Sequence, residues 1–294
     1  MWHKVAVIGL PGSAKSTMGL SYPGVEQHCW GSDEDTTARN FTHRTDILPP
    51  VKLEWFDTLK PEEQAKFTNE AVTELEVAQL TKLGRARNVS RYRRLLYARK
   101  QALREGTMDA GPFQSIFLDN ATPFAQEFED YVEVVWGKDF VTKEGNFDTI
   151  AYYKRFGQEF TDFLRLFMSL PCHTIISCHV GMMAPEEVAA NTPFLQAAKM
   201  GGVRKEWNPL LTGKAARNAI AGVPSWTFFL RTQEAPGQAT RYVAKLEADD
   251  AIVGMAKPRI QPYKNPREIL YTKNRFYEEF NGALESFLST GKPV

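Results

Sequence analysis

The 294-residue chain has no apolar run approaching the ~20 residues that a membrane-spanning helix needs. That absence predicts a soluble, cytoplasmic protein with no membrane partner. The first apolar stretch is interrupted by Lys4, Gly9 and Pro11, so no secretory leader is expected. Cysteine is scarce. Cys29, Cys172 and Cys178 form neither an even set nor a C-x-x-C pair, which excludes a disulfide framework and fits a reducing compartment. The Cys172-His173 and Cys178-His179 pairs flank a strand-like run and read as buried or strand-end side chains, not as metal ligands. Net charge is nearly absent too. With 36 Lys and Arg against 35 Asp and Glu, the total of +1 offers no argument for nucleic acid, so any such argument must be local.

What is present begins with Gly9-Leu-Pro-Gly-Ser-Ala-Lys-Ser-Thr17, directly after the apolar run Val5-Ala-Val-Ile8. It follows the pattern G-x-x-x-x-G-K-[ST], in which loop N–H groups and a helix N-terminus cradle phosphates, Lys reaches the β and γ oxygens, and the hydroxyl holds Mg²⁺. Gly9, Pro11, Gly12, Ser13, Ala14, Lys15, Ser16 and Thr17 are therefore the candidate nucleotide-binding residues, with Lys15 and Ser16 in the named roles. One position departs from the pattern. Ala14 stands where Gly is preferred, placing a Cβ where backbone approaches phosphate most closely. A chance Gly/Ser-rich turn is the bland alternative.

Further along, a helix is predicted over 15–22, ended by Pro23-Gly24, and a strand over 26–30 that empties into Gly31-Ser-Asp-Glu-Asp35. Another strand is predicted over 51–56. Residues 61–104 have helical periodicity, with a break expected over 84–90, and predict a helical hairpin inserted between core strands. Its second half carries Lys82, Arg85, Arg87, Arg91, Arg93, Arg94, Arg99, Lys100 and Arg104 without one acid, interleaved with Tyr92 and Tyr97. Such a stretch either contacts a phosphate backbone, with rings available for stacking, or pairs with acids elsewhere in the fold.

Ser115-Ile-Phe-Leu-Asp119 predicts a buried strand, expected beside that of the phosphate loop, whose Asp119 would bind the Mg²⁺ held by Ser16. Asn120 follows where a catalytic Glu stands in some ATPases, and an amide cannot accept a proton. A helix over 123–135 precedes a long helix over 150–170, where Phe156, Phe160, Phe163 and Phe167 form a core stripe. Thr174-Ile-Ile-Ser177 predicts a strand ending at His179, which either senses a γ-phosphate or is a hydrogen-bonded strand-end residue. The long stretch 181–209 contains Lys199, Arg204 and Lys205, a candidate nucleic-acid contact. A helix over 211–221, a hairpin of 225–231 with 241–246 around Pro236-Gly237, and a closing helix over 275–289 complete the reading.

The phosphate loop, the acid-tipped second strand, Asp119, His179, the stretch Leu210-Leu-Thr-Gly-Lys214 and Ala-Lys-Pro-Arg259 occur in an order that resembles the RecA-like phage ATPases of single-strand annealing and recombination. The resemblance covers nearly the whole chain apart from the basic insertion. Only the loop is a specific motif. It implies an α/β fold: a RecA-like P-loop NTPase core spanning 1–294 as a single domain, its mostly parallel central sheet flanked by helices, with a basic helical-hairpin insertion at about 60–106. ATP and Mg²⁺ are the implied cofactors. It further implies a catalytic Glu at the end of the strand after the phosphate-loop helix, which selects Glu34 as the only Glu within Asp33-Glu34-Asp35. A Lys-x-Arg pair can reach the γ-phosphate of the next subunit, and Lys257 and Arg259 match that spacing, unless they are an ordinary basic strand end.

The function so implied is a DNA-dependent ATPase working as a ring or filament on single-stranded DNA, held by Arg85, Arg87, Arg91, Arg93, Arg94, Lys199, Arg204 and Lys205. Two other readings stay open: a small-molecule or nucleoside kinase, and a nucleotide-switched assembly protein without turnover.

Overall fold

The unbroken apolar run Val5-Ala-Val-Ile8 is the signature of a strand covered on both faces, and it lies in the interior of the sheet. The computed structural model describes residues 1–30, 46–48, 74–106, 114–182, 207–233, 240–246, 262–264 and 269–294. In chain order these form β1 (Lys4–Gly9), α1 (Lys15–Leu20), β2 (Val25–Cys29), β3 (Asp46–Leu48), α2 (Glu74–Glu105), β4 (Ser115–Asp119), α3 (Ala121–Trp136), α4 (Thr149–Met168), β5 (His173–Met182), β6 (Trp207–Pro209), α5 (Lys214–Gly222), β7 (Trp226–Gln233), β8 (Arg241–Lys245), β9 (Ile269–Tyr271) and α6 (Phe276–Thr290). The sheet order is β3-β2-β4-β5-β1-β7-β8-β9, with β6 paired to the far end of β5. Every pairing from β3 through β7 is parallel, and β8 and β9 add antiparallel edges. The architecture is α/β with a mixed, mostly parallel sheet.

Alternate residues of the strands feed two cores. Ala6, Ile8, Ile116, Leu118 and Ile176 face α2, α3, α4 and α5, whereas Val5, Val7, Phe117, Ile175 and Phe228 face α1 and α6. The stripe Phe156, Phe160, Phe163 and Phe167 is fully buried in the first of these, with Phe156 and Phe160 stacked at 5.8 Å. The hairpin of β7 with β8 and the closing helix stand where the sequence puts them, within a few residues at each end. No described helix is long and apolar enough to cross a membrane.

Three expectations change. The break over 84–90 is absent, because α2 runs continuously through it. Ala86, Val89, Tyr92 and Leu96 keep a buried stripe at helical spacing, so packing outweighs the weak helix propensity of Gly84, Asn88 and Ser90. The described part of the insertion is thus one long helix, not a hairpin. The Asp119 strand is also not beside the phosphate-loop strand, since β5 lies between β4 and β1. In addition, β5 runs past Ser177 to Met182, so His179 is inside the strand, in register with Gly9. The predicted strand over 51–56 lies outside the described residues.

Candidate functional site

The phosphate loop joins the carboxyl end of β1 to α1, at the edge of a parallel sheet where ligands gather. Its residues are dictated by the backbone. A Cβ on Gly9 would stand 2.4 Å from Ser13 Oγ and 2.6 Å from the Leu230 carbonyl oxygen, and Gly12 has φ +77°. Ala14 precedes the first turn of α1 at φ 66°, ψ 27°, in the left-handed region. The Cβ of Ala14 therefore carries conformational strain there, of order 1–2 kcal/mol. We expect Ala14→Gly to raise the urea midpoint by the equivalent of about 1 kcal/mol. An unchanged midpoint would show that the loop relaxes around alanine.

Lys15 Nζ donates to the carbonyl oxygens of Gly9 at 3.0 Å and Leu10 at 2.7 Å. Burial lowers its ammonium from the usual lysine range to about 8, against the pull of Asp119 and Cys178. A cavity of about 410 Å³ opens over the loop, lined by Gly12, Ala14, Lys15, Ser16, Thr17, Asp119, Asn120, His179, Thr232, Thr240, Tyr242 and Lys273. The fold thus brings Lys15, Ser16, Asp119 and His179, residues singled out separately in the sequence, to one place.

Asp119 ends β4 with its carboxylate fixed from both sides. Ser177 Oγ donates to Oδ1 at 2.6 Å from β5, and Gln27 Nε2 donates to Oδ2 at 3.1 Å from β2. Asn120 caps α3, its Oδ1 accepting from Thr122 N at 2.8 Å. That leaves its Nδ2 to donate to His179 Nε2 at 2.9 Å. His179 then carries its proton on Nδ1, a buried atom with no hydrogen-bond partner among the described residues. Burial, and secondarily the Lys15 charge, hold His179 below the ordinary imidazole range, so it is a neutral donor at pH 7.

The oxygens of Asp119 and Ser16, which both line the cavity, would suit a hard cation. No described group of three or more His, Cys, Asp or Glu could form a protein cage, whereas Mg²⁺ needs only one carboxylate and a hydroxyl beside phosphate oxygens and water. Asp119 and Ser16 fit that requirement.

The basic helix is less free than its sequence suggests. Arg85 pairs with Asp130 at 3.1 Å, Arg93 with Glu159 at 3.0 Å, Arg99 with Glu26 at 2.5 Å, and Lys82 with Glu133. Arg93 also donates to Tyr131 Oη at 2.7 Å. Arg87 is partly buried, and Arg91 and Arg94 are exposed. Glu34, Lys199, Arg204, Lys205, Lys257 and Arg259 lie outside the described residues. Gln27, Ser177, Thr232, Thr240, Tyr242 and Lys273 were not signalled by any motif; sheet order alone brings them here. No protein-family model matches the chain, and no curated protein matches it either.

Proposed function

We propose that the chain is a RecA-like P-loop ATPase, single-domain over 1–294, that acts on single-stranded DNA as a ring or filament. The observation that carries the reading is the convergence of the phosphate loop, Asp119 and His179 on one cavity. Sheet order with β5 between the loop strand and the Asp119 strand is compatible with such a core.

In this reading the loop N–H groups and α1 hold the triphosphate, and Lys15 neutralises the β and γ oxygens. Ser16 and Asp119 would hold Mg²⁺, whose charge would offset that of the phosphates. Ser177 and Gln27 keep the carboxylate aimed, so little reorganisation is needed when the metal arrives. His179 lines the cavity where the γ-phosphate would lie, and Asn120 links it to the start of α3. Asn120 cannot take a proton, and the resemblance to RecA-like ATPases assigns the orienting of water to Glu34. Trp30 N donates to the Asp119 carbonyl oxygen at 2.6 Å. Lys257 and Arg259 act on the nucleotide of a neighbouring subunit. On α2, Arg91 and Arg94 with the exposed ring of Tyr97 are the cations and stacking surface open to DNA, and Lys199, Arg204 and Lys205 extend that contact.

The test is ATP turnover with and without single-stranded DNA across a salt series. Turnover should rise with DNA at low salt and lose that rise steeply as salt increases. Glu34→Gln should bind ATP and not turn it over. Turnover indifferent to DNA removes the DNA part of the reading, and full turnover in Glu34→Gln removes that residue's role.

A further inference from the structure

At the amino edge of the sheet, the end away from the phosphate loop, two histidines are buried among aromatic rings. His3, just before β1, is fully buried, and His173, which opens β5, is 4 % exposed. Their rings meet edge to face at 4.8 Å. Around His3 stand Tyr22 beyond α1 at 5.8 Å, Trp226 of β7 at 5.6 Å, and Tyr277 and Phe280 of α6 at 5.5 and 5.4 Å. Tyr22 and Tyr277 also flank His173. The closing helix thus docks on the sheet against two imidazoles. Their hydrogen bonding admits only neutral rings. His3 N donates to His173 Nδ1 at 3.0 Å, so that nitrogen is an acceptor and carries no proton. Protonating it would set one donor against another. Both ring nitrogens of His3, and Tyr22 Oη, are buried with no hydrogen-bond partner among the described residues. A charged His3 would hold two buried N–H groups with nothing to accept them.

The surrounding charges oppose protonation further. Lys4 and the N-terminal ammonium, on the side of β1, are both positive, and the Cys172 thiol of the turn before β5 is pushed up to about 11 by burial, so it stays neutral. From α6, Asn281 favours a charged His3 but is outweighed, and its amide donates to Glu285 at 2.8 Å. Burial raises the hydroxyls of Tyr22, Tyr263 and Tyr277, while the α6 carboxylates Glu279 and Glu285 bear on Tyr263 and Tyr277. Burial accordingly lowers His3 to about 4 and His173 to about 3. We propose that His3 and His173 form an acid-sensitive latch for the closing helix: α6 stays on the sheet while both rings are neutral, and acid favours its release. An imidazole freed with α6 regains its ordinary proton affinity, near pH 6.5 by the usual value of about 6.5. Above that pH neither state is charged and the latch is at its tightest. Below it the released state takes up protons that the docked state refuses, so opening grows about tenfold per pH unit for each histidine, until the pH nears 4. The helix that carries Lys15 and Ser16 shares the latch, because Tyr277 N donates to Ser21 Oγ at 3.1 Å and Met18, Leu20 and Tyr22 belong to the same core as Phe276 and Phe280.

Hydrogen exchange read by mass spectrometry tests the latch on the full chain without ligand, because exchange reports the open fraction even where it is small. Labelling at about pH 7.5, 6.5 and 5.5, with times scaled for the intrinsic pH dependence of exchange, should show α6 peptides opening about 10- to 100-fold more at the lowest pH than at the highest. Peptides of α4, which packs in the other core, should change by less than about twofold across the same series. Two substitutions keep the packing and remove the titration: His3→Phe retains a ring, and His173→Asn retains an acceptor for His3 N–H. Each alone should remove about tenfold of the acid response, and the double variant should leave α6 nearly indifferent to pH. No acid response in wild type, a response that persists in the double variant, or one equally large in α4 overturns the latch. So does loss of α6 protection at pH 7.5 in both single variants, which would make the two rings structural and nothing more.

Discussion

Lys15→Met should move stability and activity in opposite directions. On the ATPase reading proposed above, turnover should fall by about 10²- to 10³-fold, the usual cost of removing a positioned cation from a transition state that gathers negative charge. On the same reading nucleotide should raise the melting temperature of the wild type, and that rise should be lost in the variant. Without nucleotide, however, the variant should be at least as stable as wild type. Burial lowers the Lys15 ammonium to about 8, so at neutral pH the fold holds a charge that the unfolded chain would hold at less cost. Methionine keeps the stem and drops the charge. The same shift fixes the pH dependence of binding. In the free protein Lys15 loses its proton as pH rises through about 8, and the polyanion binds only the protonated form well. Wild-type affinity should therefore be flat below pH 7.5 and weaken above pH 8, by up to tenfold per unit. A variant that melts several degrees lower without nucleotide would show that the hydrogen bonds to Gly9 and Leu10 outweigh the buried charge.

The loop was legible because everything it needs is local: an apolar strand, two constrained glycines and a lysine at fixed spacing. The sheet was legible for a similar reason, since strands covered on both faces announce themselves as apolar runs. What sequence could not show is how distant pieces settle against each other. Ser177 and Gln27 reach Asp119 across separations of 58 and 92 residues, and neither belongs to a pattern that local periodicity could detect. The placement of β5 between β4 and β1 is equally invisible, because strand order follows from connections and packing, not from composition. The basic helix shows the converse. Its arginines are conspicuous in sequence, yet Asp130 and Glu159, which engage Arg85 and Arg93, come from α3 and α4.

The largest effect on stability should come from Glu26, which does not line the phosphate cavity. This carboxylate is fully buried on β2, where Oε1 meets His28 Nε2 at 2.8 Å and Oε2 accepts from Arg99 at 2.5 Å. His28 Nδ1 in turn meets Tyr92 Oη at 2.7 Å. Burial pushes the Glu26 carboxyl up, but the hydrogen bonds from His28 and Arg99 outweigh it and hold the group below its usual range. Burial keeps His28 below the ordinary imidazole range, so it is neutral and donates to Glu26. The charge pair is then Glu26 with Arg99, and it ties α2 to the strand that leads to Trp30 beside Asp119. Glu26→Gln keeps the shape, strands the guanidinium in a site where its side chain is 14 % exposed, and places an amide donor against another donor. It should cost about 3–5 kcal/mol in urea unfolding. The double variant Glu26→Gln with Arg99→Met removes the stranded charge and should recover more than half of that loss. Tripolyphosphate affinity should be unchanged in both, since neither residue lines the phosphate cavity. A single-variant loss under 1 kcal/mol would mean that water reaches the pair and that α2 is held by its apolar stripe alone.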